Sequence, residues 1–438
     1  MRKVNLPDLP VWQGLNERET IELELRLITP MFGGGYKARE VDEVQPIRPA
    51  AIRGHLRFWW RATAGARYTS VEELYKAERE LWGGVSKEEN PVVGKVAIRV
   101  AILEQGNSKR CAEFVWDNQK NRYKAVPRFL HGWPGYALHP FQGKADKGNI
   151  AEQPSEGLLD TKFRLIVGVN GSVDIQEIET ALVAWILYGG LGARTRRGCG
   201  SIAANQPRAL DLSWIALTDS ARREWTTLVG AKYVLGEKVT SDPVEAWREA
   251  VELYQRFRQW RGFARAESPS RDHRRPGRSF WPEADSIRRI TGQHHNRHAP
   301  EHPVECGFPR ANLGLPIVFH FKDDYDPDDA TLQRKDEGRT RMASPVITKA
   351  IQVGEQQYRP LIMVLNAPDV WKGSDLILKT KDGSRKITEN QINLSESDRR
   401  LVKPLKECGN KPIRLALLEY AAQQWQSEIE VVRCKNTS

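Results

Sequence analysis

Residues 20–28, TIELELRLI, alternate apolar and polar positions, so Ile21, Leu23, Leu25 and Leu27 share one face of a predicted strand. The strand runs into TPMFGGGYK, a glycine-rich loop. Pro46 and Pro49 then lead into a helix expected over 50–64, AAIRGHLRFWWRATA, since proline suits a first helical turn. A second helix over 71–82 sets Leu74, Tyr75, Ala77 and Leu81 at helical spacing. Strands follow near 92–103 and 162–169. The stretch between them, 105–160, is rich in Gly, Pro and aromatics and reads as an insertion. Residues 175–188, IQEIETALVAWILY, predict an apolar helix that runs into GGLGARTRRGCGS and a strand starting at Ile202.

The order β, α, insertion, β, β, α, glycine loop, β is compatible with a βαββαβ ferredoxin-like unit. Residues 205–245 read as a linker with short elements. A long amphipathic helix is expected over 243–262, and 263–310 is an Arg-, His- and Pro-rich stretch without clear periodicity. Strands near 314–321, 342–351 and 358–365 and helices near 395–406 and 412–426 make a second α+β half. The expected division is 1–210 and 211–438. No repeat of fixed period is visible.

Composition narrows the class. The chain has 438 residues, 40% of them apolar, and a net charge of +11. That basic excess favours a polyanionic partner and carries no information on fold. The five cysteines are scattered without CxxC spacing, which argues against a disulfide framework or zinc ribbon and for a reducing cytoplasm. The first residues contain no apolar core of a signal peptide, and no apolar run reaches 18 residues, so neither secretion nor a membrane partner is expected.

The arginine helix carries the strongest signal. Arg53, Arg57 and Arg61 fall at i, i+4 and i+8 on one face, and no acidic residue occurs between Arg48 and Arg67. Such a ridge of forked donors suits phosphate; the competing reading is a surface helix whose arginines pair with acids elsewhere. Gly54 lowers helix propensity and suggests close approach of another backbone. Ile52, Leu56 and at least one of Trp59 and Trp60 supply the buried face. The loop 189–201 holds Arg194, Thr195, Arg196 and Arg197 among five glycines, including Gly190 and Gly192. Backbone N–H groups in such a loop can form an anion nest, and guanidinium groups can stack on unpaired bases. The competing reading is a tight connection with solvated arginines. Neither a Walker loop nor a dinucleotide fingerprint is present.

TPMFGGG after the first strand, RPAAIRGHLRFWWRA and GGLGARTRRGCGS together resemble the RAMP superfamily. RGHLRFWWR, LGLPIVFHF (313–321) and RMASPVITKA (341–350) are similar to the family of the first-numbered subunit of type III-B CRISPR Cmr effector complexes. The resemblance implies two ferredoxin-like RAMP domains and assembly at the head of a ribonucleoprotein near the guide RNA 3′ end. It also implies that target cleavage belongs to another subunit. It makes guide RNA, target RNA and other RAMP subunits the expected partners, with no small-molecule substrate and no cofactor. The RNA-contacting candidates it implies are Lys37, Arg39, Arg53, Arg57, Arg61, Arg194, Arg196 and Arg197.

Catalysis has weaker support. Some RAMP proteins are metal-independent endoribonucleases, and His55 on the arginine helix is the candidate general acid/base if this chain is one; His131 and His139 are others, and Asp42 is an ordinary surface acid. His294, His298 and His302 share i, i+4, i+8 spacing, with His295 and Cys306 nearby, but Pro300 and Pro303 interrupt the helix that a metal site would need. No metal site is expected. The reading is a non-catalytic RNA-binding subunit, with a guide-processing ribonuclease and a purely structural capping adaptor as alternatives.

Overall fold

The alternating strand is β1, Arg18–Leu27, with Ile21, Leu25 and Leu27 buried. On its other face Glu22 and Glu24 pair with Arg164 at 3.0 and 2.9 Å. These features come from a computed structural model that describes residues 18–33, 37, 39–84, 90–118, 121–127, 131–146, 149–217, 223–268, 277–321, 323–336 and 338–434. The N-terminal stretch read for a signal peptide lies outside these residues, as do 34–36 and 38 of the first glycine loop and 269–276 of the Arg- and His-rich stretch.

After β1 come α1 (Pro49–Ala62), α2 (Val71–Trp82), β2 (Val96–Glu104), β3 (Lys162–Asn170), α3 (Ile175–Tyr188) and β4 (Ile202–Ala204). Pro49 opens α1, and the Asp174 carboxylate accepts from the Gln176 N–H at the start of α3. The sheet order is β4-β1-β3-β2, all antiparallel, which is the ferredoxin-like arrangement. The insertion between β2 and β3 is built from small two-stranded pairs.

A second unit repeats the topology: β5 (Thr227–Leu235), α4 (Pro243–Gln259), β6 (Val346–Gly354), β7 (Gln357–Asn366), α5 (Ile413–Trp425) and β8 (Glu430–Val431), ordered β6-β7-β5-β8. The fold is thus α+β with ferredoxin-like units. Strand β5 corrects the linker expected over 205–245. Its sequence, TLVGAKYVL, lacks alternation because a register shift lies between Thr227 and Lys232 and both faces are covered. Four further strands, Ile317–Phe319, Ala330–Arg334, Leu376–Thr380 and Gly383–Ile387, form a small third sheet from the two connections of the second unit. The expected irregular stretch 263–310 contains a helix, Glu283–Thr291.

One core lies between the helices of the first unit and the second sheet, and another on that sheet's far face. Leu361, Met363 and Leu365 of β7 pack with Trp59, Trp60 and Trp185 of α1 and α3, while Ile362 and Val364 face α4 and α5. The second sheet is therefore buried on both faces, and its strand reads PLIMVL without a polar interval. Both tryptophans of the pair are core, and the Trp60 indole N–H donates to Glu177 at 2.9 Å.

Lys349 of β6 is buried, with its ammonium donating to the carbonyls of Ile186 (3.3 Å) and Gly189 (2.9 Å) at the C-terminal end of α3. Burial draws its pKa from 10.5 down to about 7. The unfolded chain keeps this lysine protonated up to its ordinary value. Between these two values the unfolded state holds more protons, so this group's contribution makes stability rise with pH. Urea melts from pH 7 to 10 are expected to show that rise, and Lys349→Met to flatten it.

Candidate nucleic-acid interface

The two glycine loops meet. Thr29, at the end of β1, donates its hydroxyl to the Gly198 carbonyl at 2.6 Å and accepts from the Ser201 N–H at 2.8 Å. Gly200 N–H donates to Pro30 (2.9 Å), and Ala193 N–H to Phe32 (2.6 Å). Gly192 has φ +77°, and a Cβ there would lie 2.3 Å from the Phe32 carbonyl oxygen. Gly198 has φ +74°, and its Cβ would fall 2.4 Å from the Trp247 ring. Both positions therefore require glycine.

The four polar residues of the second loop separate into a crest and a root. Arg197 is the root. It is 9% exposed and donates to the Val346 carbonyl (2.7 Å), the Ser344 hydroxyl (3.0 Å) and the Tyr254 hydroxyl (3.3 Å), with its guanidinium 4.5 Å from the Tyr254 ring centre. Arg258 lies against the same ring and donates to the Tyr136 hydroxyl at 2.9 Å. Burial raises the Tyr254 phenol, but Arg197 and Arg258 outweigh it and hold the group below its ordinary value. Arg197 is thus a structural tie between the two units, with its donors already engaged inside the protein.

The crest is Gly192–Arg196, exposed or half-buried throughout. Arg194 adopts the left-handed conformation at φ 58°, and its Nε is buried without a hydrogen-bond partner. Arg196 donates to the Ser344 carbonyl and lies over the Phe58 ring at 5.2 Å. Burial, then repulsion from Arg197, lowers both pKa values, that of Arg196 to about 10. Arg197 adds repulsion at Arg194, and among the described residues no carboxylate pairs with Arg194 or Arg196. An anion at the crest would relieve this strain on the charged forms.

The arginine helix behaves differently. Arg57 and Arg61 both bind the Glu78 carboxylate of α2, at 2.6 and 2.5 Å, and Arg53 donates to the carbonyls of Trp82 (3.3 Å) and Val96 (3.0 Å). The competing reading, arginines paired with an acid elsewhere, describes their contacts here: these guanidiniums join α1 to α2 and β2. The reading of Gly54 is corrected, because open space surrounds the position its Cβ would take, whereas Gly65 makes the close approach, to Leu74 and the Trp60 carbonyl. In the first loop Lys37 is exposed and pairs with Glu40 at 3.5 Å, while Arg39 pairs with Glu152 of the insertion. His55 is half-buried, and burial lowers its pKa.

Tyr254, Arg258, Tyr136 and Ser344 are the neighbours of the loop arginines that sequence reasoning missed. They come from three distant segments, and only the SP of RMASPVITKA lay within a motif already singled out.

The glycine-bent loop on a ferredoxin-like unit fits the class that the family comparison gives: residues 24–203 match the model of the RAMP superfamily. The chain is Cmr1-like. It is 25% identical over 199 residues to the CRISPR system Cmr subunit Cmr1-2 of Pyrococcus furiosus, spanning 43% of this chain and 96% of that protein. Among solved structures, Cmr1 of Pyrococcus furiosus in its apo form aligns over 80% of this chain and 88% of its own, with TM-score 0.40 and 16% identity. A chain of the type III-B Cmr-beta complex bound to cognate target RNA aligns over 90% and 100%, with TM-score 0.43 and 11% identity. Among the described residues no helix is long and apolar enough to cross a membrane.

Proposed function

We propose that the chain is a non-catalytic, RNA-binding subunit of a type III-B CRISPR effector complex, made of two RAMP domains, 1–210 and 211–438. The carrying observation is the crest of the second glycine loop, where Arg194 and Arg196 are charged, partly desolvated and, among the described residues, paired with no carboxylate. Guide RNA, target RNA or both pass over this crest. Arg194, Thr195 and Arg196 touch the strand, and Lys37 stands at the neighbouring loop. Contacts of this kind go to phosphates and bases without reading sequence, so the grip is sequence-tolerant. The fold unit and the similarity to a Cmr subunit support the assembly; neighbouring RAMP subunits complete the RNA track, in the cytoplasm.

Binding of single-stranded RNA measured across salt concentrations tests this. Each phosphate contact removed lowers the slope of log K against log salt by about 0.7 in magnitude. Arg194→Ala with Arg196→Ala is expected to flatten the slope and weaken binding, while Arg53→Ala leaves the slope unchanged. Salt-independent binding, or an unchanged slope in the double variant, overturns the reading. RNA cleavage by the purified chain that His55→Ala abolishes would favour the ribonuclease alternative instead.

A further inference from the structure

The region 292–329 plays no part in the proposed RNA crest, yet it gathers metal-ligating groups. The expected helical row of His294, His298 and His302 does not form; among these histidines a single helical turn, Asn296–His298, is present, and His302 bonds the Phe280 carbonyl and the Val304 N–H. Instead His298 turns its Nδ1 toward two aspartates of another loop, 3.0 Å from Asp326 Oδ2 and 3.4 Å from Asp323 Oδ2. The three ligand atoms lie within 4.8 Å of one another.

We propose that His298, Asp323 and Asp326 bind a divalent first-row transition-metal ion that clamps these two loops together. With metal–ligand bonds of about 2.0–2.2 Å, adjacent ligand atoms stand about 3.0–3.4 Å apart, which matches both distances from His298. Asp323 is half-exposed and free to swing in to close the third edge. The Asp326 side chain is 3% exposed and is oriented by Arg288, which donates Nε and Nη2 to its two oxygens at 3.1 and 3.0 Å. This is the outer-partner arrangement that fixes a ligating carboxylate. The Arg288 charge is shared with Asp285 at 3.1 Å. Asp323 and Asp326 border a hollow that Asp324, Asp328 and Asp329 also line, together with Lys379 and Lys381, so carboxylates outnumber ammonium groups there on a chain of net charge +11. A mixed imidazole and carboxylate set suits Zn²⁺ or Mn²⁺ better than Mg²⁺.

The test uses the full, untagged chain, stripped with EDTA and desalted. Titration calorimetry with Zn²⁺ is expected to show one site per chain, weakened about 100-fold in His298→Ala with Asp323→Asn and not displaced by equal Mg²⁺. Both substituted residues are partly exposed, so melting temperatures in EDTA should match and report intact folding. Independently, pulsed EPR of the Mn²⁺-loaded wild type should show coupling to one imidazole nitrogen, absent in His298→Ala. No stoichiometric Zn²⁺ binding, binding that persists in the double variant, or a Mn²⁺ signal without nitrogen coupling overturns the proposal.

Discussion

Replacing Arg197 with alanine is expected to lower stability by about 3–4 kcal/mol in urea melts, because each buried partner left unsatisfied costs about 1–3 kcal/mol and a cavity remains. The Val346 carbonyl and the Ser344 and Tyr254 hydroxyls all lose their donor, and the carbonyl and phenol are in the core. The terms are not additive, since Tyr254 keeps Arg258 beside it. Arg197→Lys should recover only part of the loss, because one ammonium cannot reproduce a planar fork spread over three partners. A change below about 1 kcal/mol, the range of an exposed side chain, would contradict the assignment of Arg197 as an inter-unit tie.

The second large effect falls on Glu78. Its side chain is 7% exposed and is shared by Arg57 and Arg61, which are 35% and 33% exposed. Removing one member of a buried ionic group costs about 3–5 kcal/mol. Partial solvation of both arginines reduces this, so Glu78→Leu is expected to cost about 2 kcal/mol. Converting Glu78, Arg57 and Arg61 together to leucine should recover most of that loss, as buried ion groups replaced by packed apolar residues often do. Thermal and urea melts of the single and triple variants check this. Non-recovery would mean that the arginines serve a partner beyond Glu78.

Local sequence made much of this molecule legible. The period-two pattern of β1, the proline at the start of α1 and the apolar run of α3 are local signals, and the helices over 71–82 and 175–188 stand where periodicity puts them. Strand β5 was not legible because burial on two faces erases alternation, and a bulge erases what is left. The site divides the same way. Glycine richness marks the second loop because positive φ is a local demand. Which arginine stays exposed is not local: it depends on Glu78, Ser344 and Tyr254, which stand 17 to 148 positions from the arginines they contact. Spacing along α1 correctly aligned Arg53, Arg57 and Arg61 but could not show that an acid on α2 lay opposite.

The doubly covered second sheet makes the two halves mutually dependent. Helices α1 and α3 serve as filling for both sheets, so cutting the chain near 210 would strip a greasy wall from each fragment. Neither piece would be a transplantable module, and heat should take the pair apart in a single step, with no stage at which one half survives the other.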